Sequence, residues 1–202
     1  MAHVVTPADL PRVIEILADS FCADPVWSWA FPQPQQRILQ LTQWWGLLLQ
    51  GAQLNPESMW IADTGDAASV WYPPGVVEFT PELEAKVEPL FERLVGSDQA
   101  TKIMELMHGF ESHRPMETPH YYLSLIGTSI DSRGQGIGLG LLKQNLAWVD
   151  TYEMPAYLEA SNPGNIALYE RYGFEVKEEF TITDGPTITT MWRPAREQEN
   201  RA

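Results

Sequence analysis

The stretch Ser132–Leu142 reads SRGQGIGLGLL, with glycine at positions 134, 136, 138 and 140. It follows the β-rich run HYYLSLIGTSI, His120–Ile130. It precedes a segment that sets Leu139, Leu142, Leu146 and Val149 on one helical face. A long strand, a glycine-dense turn and an amphipathic helix in direct succession restrict the possible folds more than any other part of the chain. Glycine lets the backbone come close to a ligand and turn its N–H groups inward. The helix N-terminus adds a partial positive charge, so the combination suits a phosphate. A dinucleotide loop requires glycines at i, i+2 and i+5. Leu139 and Leu141 stand at i+5 from Gly134 and Gly136, which excludes that loop. A Walker loop closes with Gly-Lys-Ser/Thr, whereas Lys143 stands between Leu142 and Gln144. Gly140 falls inside the helix and is expected to serve close packing.

The segments on either side complete a mixed α/β pattern. HVVT reads as a first strand, Thr6 as a cap with Pro7 at the first helical position, and Leu10, Val13, Ile14, Leu17 and Phe21 as a helical face. Ala23–Gln35, rich in proline and tryptophan, reads as a loop. Ile38, Leu41, Trp45 and Leu48 define a second helix. SMWIAD and ASVWYP flank Thr64-Gly65-Asp66 as a hairpin. Leu83, Val87, Leu90 and Leu94 form a further helical pattern that Pro89 is expected to kink, followed by one with Ile103, Leu106, Met107 and Phe110. After the glycine turn and its helix come a short strand, PAYLEAS, and NPGNIALYERYGF, a turn with a short helix. Two strands meeting at Asp184-Gly185 close the chain. The pattern predicts a mixed sheet with one parallel crossover.

Composition narrows the partners. The 202 residues, 44% hydrophobic, suit one globular domain or two small ones. The formal net charge of −14 argues against nucleic acid, because the phosphate-neutralising cations are missing. It would attract a cationic small molecule, and equally it serves solubility. No 18-residue apolar run predicts a membrane span, and the opening MAHVVTPADL does not resemble an export signal. One cysteine, Cys22, cannot form an internal disulfide, and a cytoplasmic location is expected. The four histidines show no metal-ligand spacing, so no metal is expected.

Arg133-Gly134-Gln135-Gly136-Ile137-Gly138 matches the Arg/Gln-x-x-Gly-x-Gly/Ala pattern of the GCN5-related N-acetyltransferase (GNAT) superfamily. NPGNIALYERYGF resembles the later signature of the same family: an asparagine, a small-residue helix, a tyrosine and then Gly-Phe. The order MWIAD, ASVWYPP, HRP, YLEAS, LYERYGF resembles the puromycin N-acetyltransferase branch in particular, with Ala23–Gln35 departing from it. The resemblance implies one α/β domain over residues 1–202. Its acceptor side would cover about 1–118 and its acetyl-CoA side about 119–202. It also implies a central, mostly antiparallel sheet with one splayed parallel strand pair, flanked by helices.

The resemblance further implies acetyl-CoA as cosubstrate and attack of a free amine on its thioester carbonyl. Arg133, Gly134, Gln135, Gly136, Ile137 and Gly138 would hold the pyrophosphate. Ile126, Gly127 and Thr128 would lie along the pantetheine arm, where Gly127 interrupts the strand either as a bulge or to relieve packing. Asn162 and Asn165 would bond the pantetheine amides, or else serve the turn as caps. Tyr169 is the candidate general acid, since a tyrosine of pKa about 10 can protonate a thiolate of pKa about 8.5; the alternative is a core tyrosine. Glu159 lies in a strand expected to be buried. It is a candidate general base or ammonium anchor, or an edge residue facing solvent.

Most of the tryptophans are expected in the core. Trp27 and Trp29, with Tyr121 and Tyr122, are the candidates for an aromatic acceptor pocket. The acceptor implied is a small-molecule amine, aminonucleoside-like or another antibiotic or metabolite. A protein N-terminus or lysine, or a non-catalytic acyl-CoA sensor, are the alternatives.

Overall fold

The computed structural model describes residues 1–55 and 57–196. Among these, seven strands form one sheet: β1 (Ala2–Val4), β2 (Met59–Ala62), β3 (Ala67–Tyr72), β4 (Tyr121–Thr128), β5 (Ala156–Ala160), β6 (Glu175–Thr181) and β7 (Thr187–Arg193). The order across the sheet is β1-β2-β3-β4-β5-β7-β6. Every neighbouring pair is antiparallel except β4 and β5. The fold is therefore the mixed α/β arrangement with one parallel pair that the sequence predicts. Strands from both halves of the chain share this sheet.

Helices cover both faces. One face carries α1 (Leu10–Phe21), α2 (Pro25–Ala30), α3 (Pro34–Ala52), α4 (Pro81–Glu84), α5 (Val87–Val95) and α6 (Ser97–His113). Their core joins Val13, Leu17, Trp44, Trp45 and Phe91 to Val70, Tyr122 and Tyr157 of the sheet. The other face carries α7 (Ile137–Asp150), where Leu142, Leu146 and Val149 meet Trp71, Tyr121, Leu123 and Leu158. Buried Asn145 keys α7 to β3 by accepting from Ser69 Oγ at 2.7 Å and from Trp71 Nε1 at 3.2 Å. The short α8 (Ile166–Glu170) follows β5. Arg193 at the end of β7 is buried and forms a fork with both oxygens of Asp150, at 2.6 and 2.7 Å.

Three local expectations need correction. Ala23–Gln35 is not a loop throughout. Asp24 caps α2 by accepting from the Val26 and Trp27 N–H groups, and Pro25 occupies the first turn, where its missing N–H costs nothing. The first helix begins at Leu10 rather than after Thr6, because Thr6 bonds the Asp9 carboxylate and closes a turn that includes Pro7. Pro89 does not kink a continuous helix: the chain breaks earlier, between α4 and α5, and Pro89 sits in the first turn of α5.

Candidate active site

The strand pair β4–β5 opens partway along its length. Tyr121, Tyr122 and Leu123 pair with Ala156, Tyr157 and Leu158, and beyond that point the two strands no longer pair. A β-bulge lies at the same level. Leu123 pairs with Trp71 and Leu125 with Val70, so Ser124 is the extra residue. The bulge shifts the alternation of β4. Tyr121 and Leu123 face α7, whereas Leu125 faces the α1 side with Tyr122.

The bulge is thus at Ser124 and not at Gly127, which pairs regularly with Ala68. Gly127 serves packing instead, since a Cβ there would lie 2.6 Å from Ser20 Oγ. Ser20 Oγ in turn accepts the Thr128 N–H at 3.2 Å.

Two cavities meet at this opening. The second, of about 520 Å³, is lined by Ile126, Gly127, Thr128, Arg133, Gly134, Gly136, Ile137, Gly138, Asn162, Asn165 and Tyr169, among others. Gly134 and Gly136 both have φ of +77°, a region that strains any residue with a Cβ, and Gly136 is the N-cap of α7. The turn therefore presents backbone and a helix N-terminus to the cavity, the arrangement that suits a pyrophosphate. Gly138, in the first turn of α7, leaves no room for a side chain beside Thr128 Oγ1. The fit to coenzyme A rests on this cradle. Arg133 lines the cavity and donates to the Ser20 carbonyl at 2.6 Å. Gln135 lines neither cavity; its amide reaches back to the Asp131 carbonyl. Asn162 lines the cavity and also caps the turn by accepting the Gly164 N–H at 2.9 Å.

The first cavity, of about 640 Å³, lies on the α1–α6 side. Trp27, Trp44, Phe79, Met104 and Phe110 belong to its apolar wall. Its polar wall is built around Arg114, at the end of α6. The Arg114 guanidinium bonds Glu78 Oε2 at 2.7 Å and lies 3.8 Å above the Tyr122 ring. Ser124 Oγ donates to the other Glu78 oxygen at 2.7 Å.

Glu159 lines this cavity. Its Oε1 is buried and has no hydrogen-bond partner among the described residues. Burial raises its pKa to about 7, against the opposing pull of the Arg114 charge and of the Tyr122 hydroxyl. It is not an edge residue facing water, because β7 pairs with β5 on its other side. His120, on the same wall, has its pKa lowered by burial.

Phe21, Ile126, Asn165 and Tyr169 line both cavities. Tyr169 has a pKa raised to about 12, first by burial and then by the negative charge of Asp24. It stays protonated at neutral pH and is therefore a proton donor, and passing that proton to a thiolate requires direct contact between the two.

The four aromatic acceptor candidates separate. Trp27 and Tyr122 line the first cavity. Trp29 does not; its indole N–H bonds the Asp184 carbonyl at 2.9 Å, at the tip of the β6–β7 hairpin. Tyr121 does not either, because strand alternation turns it to the α7 face, where it packs on Trp148 with ring centroids 4.9 Å apart.

Sequence reading missed Asp24, Glu78, Arg114 and Ser124. Asp24-Pro25 is a helix-start signature that could have been recognised. The other three come from separate segments and carry no local signal. Among the described residues no group of three or more His, Cys, Asp or Glu side chains is placed to hold a metal ion, and no helix is long and apolar enough to cross a membrane.

Comparison with known proteins bears on the family and the fold. A model of the acetyltransferase (GNAT) family matches residues 17–174. The structure of a "histone acetyltransferase HPA2 and related acetyltransferase" from Corynebacterium glutamicum is similar over 98% of both chains, with 24% identity and a TM-score of 0.70. The polyamine N-acetyltransferase of Drosophila melanogaster is similar over 95% of this chain and 98% of its own, with 13% identity and a TM-score of 0.65. Arylalkylamine N-acetyltransferase 2 of Aedes aegypti is similar over 96% of this chain and 98% of its own, with 13% identity and a TM-score of 0.64. At these identities the structural likeness is one of fold.

Proposed function

The chain belongs to the acetyltransferase (GNAT) family, and from that premise we propose that it transfers the acetyl group of acetyl-CoA to the primary amine of a small molecule, by direct attack while both substrates are bound. The observation that carries this reading is the meeting of the two cavities at Phe21, Ile126, Asn165 and Tyr169. A thioester entering from the glycine turn and an amine entering from the aromatic side would come together there, and proximity is itself a large part of the catalysis. Residues 1–118 and 119–202 act as one domain in this reading, supported by the sheet they share.

Each group then has a task. Gly134, Gly136 and Gly138, with the N-terminus of α7, receive the pyrophosphate. The edge of β4 left open beyond Leu123, at Ile126 to Thr128, runs beside the pantetheine arm, with Asn162 and Asn165 on the opposite side. Glu159, with a pKa near neutrality, accepts a proton from the incoming ammonium. Tyr169 protonates the departing thiolate. Trp27 and Tyr122 contact the body of the acceptor. The apolar wall and the net charge of −14 both favour a cation with an apolar or aromatic body. An aminonucleoside-like amine has that character.

The test is release of free thiol from acetyl-CoA in the presence of a panel of amines that includes puromycin. Amine-dependent release is the expected result. Tight coenzyme A binding without release from any amine would instead indicate a sensor. Tyr169→Phe is expected to lower kcat while leaving coenzyme A affinity, read by calorimetry, nearly unchanged; unchanged kcat would remove its role as acid.

A further inference from the structure

Ser161 and Asp24 form a hydroxyl–carboxylate couple at the junction of the cavities. Ser161 Oγ donates to Asp24 Oδ2 at 2.7 Å. The other oxygen, Oδ1, accepts the Val26 N–H at 2.9 Å and the Trp27 N–H at 3.3 Å. The carboxylate is thereby fixed at the head of α2, with Asp24 only 7% exposed. Ser161 lines the first cavity and Asp24 the second, beside the tyrosine that lines both. Ser161 is the residue after β5, two on from Glu159, and both line the first cavity. Burial holds the Asp24 carboxyl above the usual carboxylate range, against the pull of its Ser161 and backbone donors.

The chemistry of the acceptor calls for a second proton acceptor. A primary amine of lysine-like pKa, about 10.4, arrives as the ammonium and must lose one proton before it can attack. Once the C–N bond has formed, the nitrogen is again positively charged and must lose another. Glu159 answers the first need.

Building on the amine acetyltransferase reading, we propose that Ser161 takes the second proton from the reacting nitrogen while passing its own hydroxyl proton to Asp24. The steps balance. The C–N bond forms and the C–S bond breaks. The nitrogen proton goes to Ser161 Oγ, and the Ser161 proton goes to Asp24 Oδ2. The thiolate takes the phenolic proton of Tyr169, and between turnovers Asp24 gives its proton to solvent while Tyr169 takes one back. The first ammonium proton leaves through Glu159 to solvent, so one proton is released per turnover. Ser161 is the catalytic group, and Asp24 acts through it.

The experiment measures kcat and KM of the full chain with an amine found active in the panel, for Ser161→Ala, Ser161→Thr, Asp24→Asn and the Ser161→Ala/Asp24→Asn double variant. Asn caps a helix about as well as Asp, so Asp24→Asn keeps the head of α2 while removing the proton acceptor. Ser161→Ala and Asp24→Asn are each expected to lower kcat by about 100-fold, the general acid–base range, with the KM for acetyl-CoA unchanged. Ser161→Thr is expected to keep most of the activity. The double variant is expected to be no slower than either single variant, because each removes the same relay.

Full kcat in Asp24→Asn or Ser161→Ala would overturn the proposal, and so would single losses that multiply in the double variant. These results differ from failure of the underlying reading, in which the wild-type chain would release no thiol with any amine.

Discussion

Replacing Glu159 with Gln tests the active-site electrostatics through two independent readouts. In the folded chain the carboxyl has a pKa of about 7 against an ordinary value of 4.5. The folded state therefore holds its proton more tightly than the unfolded state. Stability from this group is fully present below pH 4.5 and is lost as pH rises to about 7. A shift of this size corresponds to about 3 kcal/mol, lost once the carboxylate is ionised. Gln is neutral at every pH and close to isosteric, so it avoids that loss. At pH 8 the variant should be the more stable by up to about 3 kcal/mol, whereas near pH 4.5 the two proteins should differ little. For a chain of this length that is a rise in Tm of roughly 6–12 °C at pH 8. Calorimetric melts at the two pH values read this directly.

The kinetic consequence has the opposite sign. Glu159 accepts a proton only when ionised, so kcat/KM should rise with pH through an inflection near 7. In Glu159→Gln that inflection should disappear, and the rate above it should fall by about 100-fold or more. A Tm difference that is the same at both pH values, together with an unchanged pH–rate profile, would refute the argument. Glu159 would then be a structural residue whose charge is compensated in the fold.

Gly136→Ala places a Cβ at φ +77° at the N-cap of α7; it should cost about 1–2 kcal/mol in urea unfolding and raise the KM for acetyl-CoA more than that for the amine. Asp150→Ala leaves the Arg193 guanidinium buried without its fork. Stability should fall by about 3–5 kcal/mol, and the coenzyme A affinity of the protein that remains folded should be little changed.

The strand, glycine turn and helix of the proposed coenzyme A side were legible in the sequence because each is specified locally. Glycine at 134 and 136 meets positive φ, and the 3.6-residue spacing of Leu142, Leu146 and Val149 places them on the face that packs against the sheet. Tyr169 and Asn165 were legible for the same reason, as parts of one contiguous motif. Of the polar wall of the first cavity only Glu159 was. Glu78, Arg114 and Ser124 come from three other segments, and they meet it because the sheet order sets β4 between β3 and β5. A single extra residue, Ser124, reverses the alternation of β4; nothing in its own sequence marks it, because a bulge exists only relative to the partner strand. The faces taken by Tyr121 and Tyr122, and the departure of Trp29 to the far hairpin, follow from that pairing. The sequence by itself determined the strands, most of the helices and the glycine turn, which depend on neighbouring residues. The tertiary structure alone decided which side chains share a cavity and how far burial moves their proton affinities, because both depend on contacts between residues distant in the chain.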